Sequence, residues 1–241
     1  MRIEQSEKEE GKVKMMITLM LTCVALAVSA GETSHLEERT STTNSNQSKL
    51  PEIYLIGDSI RLGYCNDVAR ELAGKAVVCW PDCNCQNTQN VLVNLGYWRK
   101  FTTSPRVIQF NCGHWDASHW DGDADPITSL EEYRKNIRLI IRRLKRYYPS
   151  ATLVFATTTP MNPSGAVGVN RRTTEQIRRY NSVGADVARE EGVLVNDLFS
   201  SVAGWKEEAY KDYCHFTPES NARLGMLVAD YLWGLAVSEA K

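Results

Sequence analysis

"EIYLIGDSIRLGY", residues 52–64, decides how the rest of the chain is read. The run from Ile53 to Ile56 is apolar on both faces, as a strand covered on both sides requires, and it stops abruptly at Gly57-Asp58-Ser59. Four more short, β-branched pulses follow at 76–80, 106–112, 151–158 and 193–197. Helical patterns lie between and after them, at 67–73, 88–101, 129–148, 173–191 and 218–237. Five strand–helix alternations without repeats predict an α/β sandwich around a parallel sheet. In the fourth segment Leu130, Tyr133, Ile137, Ile140, Ile141 and Leu144 recur at helical spacing, with arginines and lysines on the opposite, solvated face.

Ligands of such sheets bind beyond the carboxyl ends of the strands. Ser59 follows the first strand and so falls on that rim. Two other loops concentrate reactive residues: Asn111-Cys112-Gly113-His114-Trp115-Asp116 after the third strand, and Asp212-Tyr213-Cys214-His215 before the last helix. A serine hydroxyl needs a base to take its proton as it attacks, and histidine has the suitable pKa. An acid three residues earlier reaches back to the imidazole and holds its tautomer. Asp212 and His215 have this spacing, so Ser59, His215 and Asp212 form the expected catalytic set.

The amino end reads as an export signal. Lys12 and Lys14 precede the apolar run 15–28, and Ala27-Val28-Ser29-Ala30 is a small-residue cleavage site, which predicts a signal peptide over residues 1–30 and a secreted or periplasmic product. Residues 31–50 are rich in Ser, Thr, Asn, Gln and Glu and read as a disordered tether, leaving 51–241 as the folded domain. The whole chain carries a net charge of −1, and removing four acidic and four basic residues with the leader leaves it unchanged. That balance supplies no electrostatic reason for a nucleic-acid partner or, after cleavage, an anionic membrane surface. Six cysteines remain (Cys65, Cys79, Cys83, Cys85, Cys112 and Cys214), an even number that permits disulfides in an exported protein. Their spacing does not match a zinc ribbon, and no G-x-G-x-x-G or Walker sequence follows a strand.

"YLIGDSIRLGY" (54–64) and "DYCHFTPESNARLG" (212–225) resemble the first and last blocks of the SGNH (GDSL-type) hydrolases. The resemblance spans about residues 52–235. It implies a flavodoxin-like three-layer α/β/α fold with a five-stranded parallel sheet. It also implies a cofactor-free serine esterase with Ser59 as nucleophile and Asp212 and His215 completing the triad. In that family a second block contributes a glycine N–H to the oxyanion hole, and a third block, G-x-N-D, contributes an asparagine. Here "PDCNCQNTQNV" (81–91) has no glycine, so the N–H of Gln86 or Cys85 is the expected main-chain donor. The third block reads Gly113-His114-Trp115-Asp116. Asn111, on the same strand face as Gly113, and the Trp115 indole are the candidates for the missing amide. "NCGHWD" resembles a subgroup in which this substitution recurs.

The reading is an exported esterase acting on acyl, most simply acetyl, esters of carbohydrate. An acyltransferase on the same triad and a non-catalytic carbohydrate-binding relative are the alternatives. Arg61 is expected to pair with Asp116, the alternative being an anionic group of the substrate. His114, His119, Asp116, Asp121, Asp123 and Asp125 are read as one solvated loop. Trp115 and Trp120 are placed to touch a sugar. Cys112 and Cys214 flank site residues without a partner that would make either a nucleophile.

Overall fold

A computed structural model describes residues 50–165 and 167–238. The predicted leader and nearly all of the predicted tether lie outside them. Five strands, β1 (Glu52–Ile56), β2 (Val77–Cys79), β3 (Pro105–Phe110), β5 (Thr152–Ala156) and β7 (Leu194–Asn196), form one sheet in the order β2-β1-β3-β5-β7 with every pairing parallel. This is the 2-1-3-4-5 order of flavodoxin-like sheets. Helices α1 (Ser59–Glu71), α2 (Thr88–Asn94), α3 (Leu130–Tyr147), α4 (Thr174–Glu190), α5 (Leu198–Val202) and α6 (Pro218–Val237) cover it.

Strand alternation assigns the two cores. Tyr54, Ile56, Ile108, Phe110, Leu153 and Phe155 point into a cluster closed by α2, α3 and α4, while Ile53, Leu55, Val107, Val154 and Ala156 point into one closed by α1, α5 and α6. Successive strand residues face opposite sides, so a strand buried twice reads as an uninterrupted apolar run. The three-layer sandwich therefore follows from the five pulses.

Several boundaries differ from the sequence reading. Helix α1 begins at Ser59 itself, eight residues earlier than expected, because Asp58 caps it by accepting the Ile60 N–H at 3.0 Å. The expected helix over 88–101 breaks near Gly96 into α2 and a 3₁₀ turn at Tyr97–Phe101. A short antiparallel pair, β4 (His119–Trp120) with β6 (Asn170–Arg171), joins the loops after β3 and β5. On α3, Tyr133, Ile137, Ile140, Ile141 and Leu144 are buried as expected, whereas Leu130 is exposed. Its basic face is not simply solvated: Arg138 and Arg142 lie 2.6 and 2.9 Å from Glu190 and Glu191 at the end of α4, and Arg134 also pairs with Glu190. All six cysteines among the described residues are free thiols, so the disulfides that their even number permitted are absent there.

The chain leaves β1 for β2 on one side and returns to β3 on the other. The carboxyl ends of β1 and β3 therefore splay their loops apart and open a crevice between them. Gly57-Asp58-Ser59 and Asn111 occupy this switch point.

Candidate active site

Ser59 is the first residue of α1, at the positive end of the helix dipole, with its N–H free of any intramolecular acceptor among the described residues. Its Oγ lies 2.8 Å from Nε2 of His215, 156 positions away in the chain. Nδ1 of His215 lies 2.8 and 3.0 Å from the two carboxylate oxygens of Asp212. Asp212 Oδ1 also accepts the N–H groups of Cys214 (2.9 Å) and His215 (2.8 Å). Burial raises the Asp212 pKa, but these two N–H bonds and the imidazole outweigh it and hold the carboxyl below its ordinary value. The acid is thus ionised and aimed at Nδ1, so the Nδ1–H tautomer leaves Nε2 as acceptor for the serine proton.

The turn that presents Ser59 leaves no room for a side chain. A Cβ on Gly57 would sit 2.0 Å from Oδ1 of Asn111. Asn111 is buried there, with its main-chain N–H bonded to Ile56 O at 3.0 Å. Asp58 is itself fully buried; desolvation raises its pKa against the bond from the Ile60 N–H, and its second oxygen has no partner among the described residues. Asn111 therefore stands beside the nucleophile turn as expected. Gly113 is required one step on: its φ is +155° and a Cβ would meet Thr158 Oγ1 at 2.3 Å.

The second-block loop is tied to the same turn. Cys85 N–H donates to Gly57 O at 3.1 Å, and the buried Arg61 donates to the carbonyls of Gly57 (3.0 Å), Pro81 (3.0 Å) and Cys83 (2.6 Å). Arg61 does not pair with Asp116. That carboxylate instead accepts the Thr88 hydroxyl (2.6 Å) and N–H (3.1 Å) at the start of α2. Gln86 is exposed at a left-handed φ of 56°, the conformation for which a glycine is the usual choice, and its N–H donates to Asn84 Oδ1 at 2.9 Å. Both main-chain donors expected from this loop are therefore engaged. Trp115 is half-buried and stacks at 5.8 Å on Trp120, which is exposed.

The loop read as solvated divides instead. His114 and Asp116 are buried, while Asp121, Asp123 and Asp125 are exposed. His114 leads to a residue that the sequence reading missed. Arg172, 8% exposed, donates from Nε to His114 Nδ1 (3.0 Å), from Nη1 to Asn170 O (2.9 Å) and from Nη2 to Cys214 Sγ (3.3 Å), with its guanidinium over the Tyr213 ring. No carboxylate lies within ion-pair distance of it among the described residues. The same β5–α4 loop holds the histidine loop through Asn162, whose N–H and Nδ2 reach the carbonyls of Tyr213 and Asp212 at 2.9 Å each, and through Asn170, which accepts the Tyr213 hydroxyl at 3.0 Å. Nothing in periodicity or spacing marks these residues; only folding sets them under Asp212 and His215.

Asp212, Cys214 and His215 are the group among the described residues whose metal-ligating atoms converge, all within 4.8 Å. The Arg172 guanidinium already holds Cys214 Sγ there, and burial pushes that thiol up to about 12, so it is a poor thiolate despite lying 3.7 Å from His215 Nδ1. Burial also pushes the Cys112 thiol well above its ordinary value.

The model of the GDSL-like Lipase/Acylhydrolase family matches residues 55–223, which run from within β1 through the histidine loop. A GDSL esterase/lipase of Arabidopsis thaliana is 27% identical over 195 residues, covering 71% of this chain and 81% of its own. The fold is shared with a lipase/acylhydrolase from Enterococcus faecalis (TM-score 0.63, 20% identity, 80% of this chain and 100% of the other). It is shared also with Est24, a carbohydrate acetylesterase from Sinorhizobium meliloti (TM-score 0.59, 12% identity, 77% and 99%).

Proposed function

The chain belongs to the GDSL-like lipase/acylhydrolase family and is a serine ester hydrolase, and from that premise we propose that Ser59, His215 and Asp212 carry its chemistry on acetyl esters of carbohydrate outside the cell. The 2.8 Å contact between Ser59 Oγ and His215 Nε2 is the observation that supports this reading most directly.

Nε2 takes the Ser59 proton as Oγ adds to the ester carbonyl, and Asp212 stabilises the imidazolium. The carbonyl oxygen, now anionic, is received by the Ser59 N–H at the start of α1. The Gln86 N–H is the second donor: an anionic oxygen is a stronger acceptor than the neutral Asn84 carboxamide it holds at 2.9 Å, so the exchange is favourable as charge develops. Asn111 packs against Gly57 beside this donor pair, so its carboxamide is the candidate third donor. His215 then protonates the departing alcohol oxygen, leaving an acyl-Ser59 ester, and the same base activates the water that releases the acid. Export rests on the leader-like pattern of residues 1–30 with cleavage after Ala30. The carbohydrate acetyl ester rests on that compartment, and the acetylesterase named among the structural relatives is consistent with it.

The test is acetate release from a panel of acetylated glycans and aryl acetates by the parent, Ser59→Ala and Asn111→Ala proteins, with fluorophosphonate labelling of the parent. Labelling at Ser59 and loss of turnover in Ser59→Ala are expected. Undiminished turnover in Ser59→Ala would remove the nucleophile assignment.

A further inference from the structure

Beside Ser59 and His215 lies a cleft of about 320 Å³, walled by Leu62 and Gly63 of α1, Lys211 and Phe216 of the histidine loop, and Asn221 of α6. None of the residues expected to face the oxyanion (Gln86, Asn111, Gly113 or Trp115) lines it. His215 must protonate the departing oxygen, so the alcohol half of the ester sits on the histidine side of the nucleophile. This cleft is the space on that side. It therefore takes the alcohol, and its chemistry reports what the alcohol is.

Its charge is one-sided. Lys211 is exposed and has no ion-pair partner among the described residues, and no carboxylate lines the cleft. Glu219, in the first turn of α6, is exposed and stands outside the lining. Asp212 is turned away onto His215. The first turns of α1 and α6, at Ser59 and Pro218, both form its walls, so the positive ends of two helix dipoles add to the lysine. Leu62, half-buried, gives the cleft an apolar wall, backed by Phe216, which is itself packed in the core.

Building on the esterase reading above, we propose that the cleft selects an acidic sugar, with a carboxylate near the acetylated hydroxyl paired to Lys211. Lys211 is thus a specificity-determining residue rather than part of the triad.

The test compares acetate release from an O-acetylated uronic-acid oligosaccharide with release from its carboxyl-reduced counterpart, which differs only in charge. The parent should prefer the acidic form by about fivefold in kcat/KM at low ionic strength, the upper range for one solvent-exposed ion pair, and the preference should shrink with added salt. Lys211→Gln should erase the preference and Lys211→Arg should retain it. Equal rates on the two sugars, or a preference that survives Lys211→Gln, would overturn the assignment. So would a stronger preference for an acetylated glycerophosphate over both sugars, because the cleft would then read phosphate on a lipid-like alcohol. Hydrolysis of 4-nitrophenyl acetate that depends on Ser59, alongside any of these results, would leave the esterase reading standing and refute only this one.

Discussion

Replacing Asp212 by asparagine tests the triad without disturbing its frame. A carboxamide has one acceptor where the carboxylate has two. Oδ1 of Asp212 receives two main-chain donors, the N–H groups of Cys214 at 2.9 Å and His215 at 2.8 Å, and the backbone cannot turn them away. Facing an NH₂ group to them would forfeit both bonds at about 1 kcal/mol each, so the amide oxygen takes this place. The NH₂ group then faces Nδ1 of His215, 2.8 Å from the position of Oδ2. Nδ1 must accept, the ring proton moves to Nε2, and the nitrogen 2.8 Å from Ser59 Oγ can no longer receive the serine proton. A serine triad left in the wrong tautomer loses about 10⁴ in kcat, or about 5.5 kcal/mol of barrier. The assay is steady-state hydrolysis of 4-nitrophenyl acetate, with a thermal melt on the same protein. The expected result is the loss in kcat with stability within about 1 kcal/mol of the parent, since both loop bonds survive. A kcat within tenfold of the parent would refute the claim that Asp212 sets the tautomer of His215.

Two further outcomes follow from buried groups. Arg172→Met leaves His114 Nδ1, Asn170 O and Cys214 Sγ without their donor and should lower stability by roughly 1–3 kcal/mol while kcat falls more than KM changes; Arg172→Lys should not restore it, because one ammonium cannot span three directions. An unchanged melting temperature and kcat would show that the guanidinium does not support the histidine loop. Burial pushes Asp116 up to about 6, above the ~3.9 of an unfolded aspartate, so the folded chain holds more protons between those values and its stability falls as pH rises through them, by about 3 kcal/mol in all. Asp116→Asn keeps an acceptor for Thr88 and should remove that decline; melting curves of parent and variant that run parallel from pH 4 to 7 would contradict it.

The layers of the fold were legible because their cause is local. A strand buried on both faces must be apolar at successive positions, as Ile53–Ile56 and Leu153–Ala156 are; in Val107–Phe110 the one exception, Gln109, is bonded to Tyr64 and Asn196. The helix start at Ser59 was less legible, since its cap is the acid of the same triplet that reads as a catalytic signature. Arg61 and Asp116 show the limit of charge matching: opposite signs suggested a pair, but the guanidinium meets three carbonyls and the carboxylate caps α2.

By itself the sequence determined which side chains are chemically equipped to react and which end of the sheet they occupy, because residue type and strand direction are written along the chain. Tertiary structure alone decided what supports them. Arg172 comes within 3.3 Å of Cys214 across 42 positions, and Lys211 shares a cleft with Ser59. Such contacts arise from how separate loops pack over a common rim, and no local pattern encodes a neighbour that arrives from another loop.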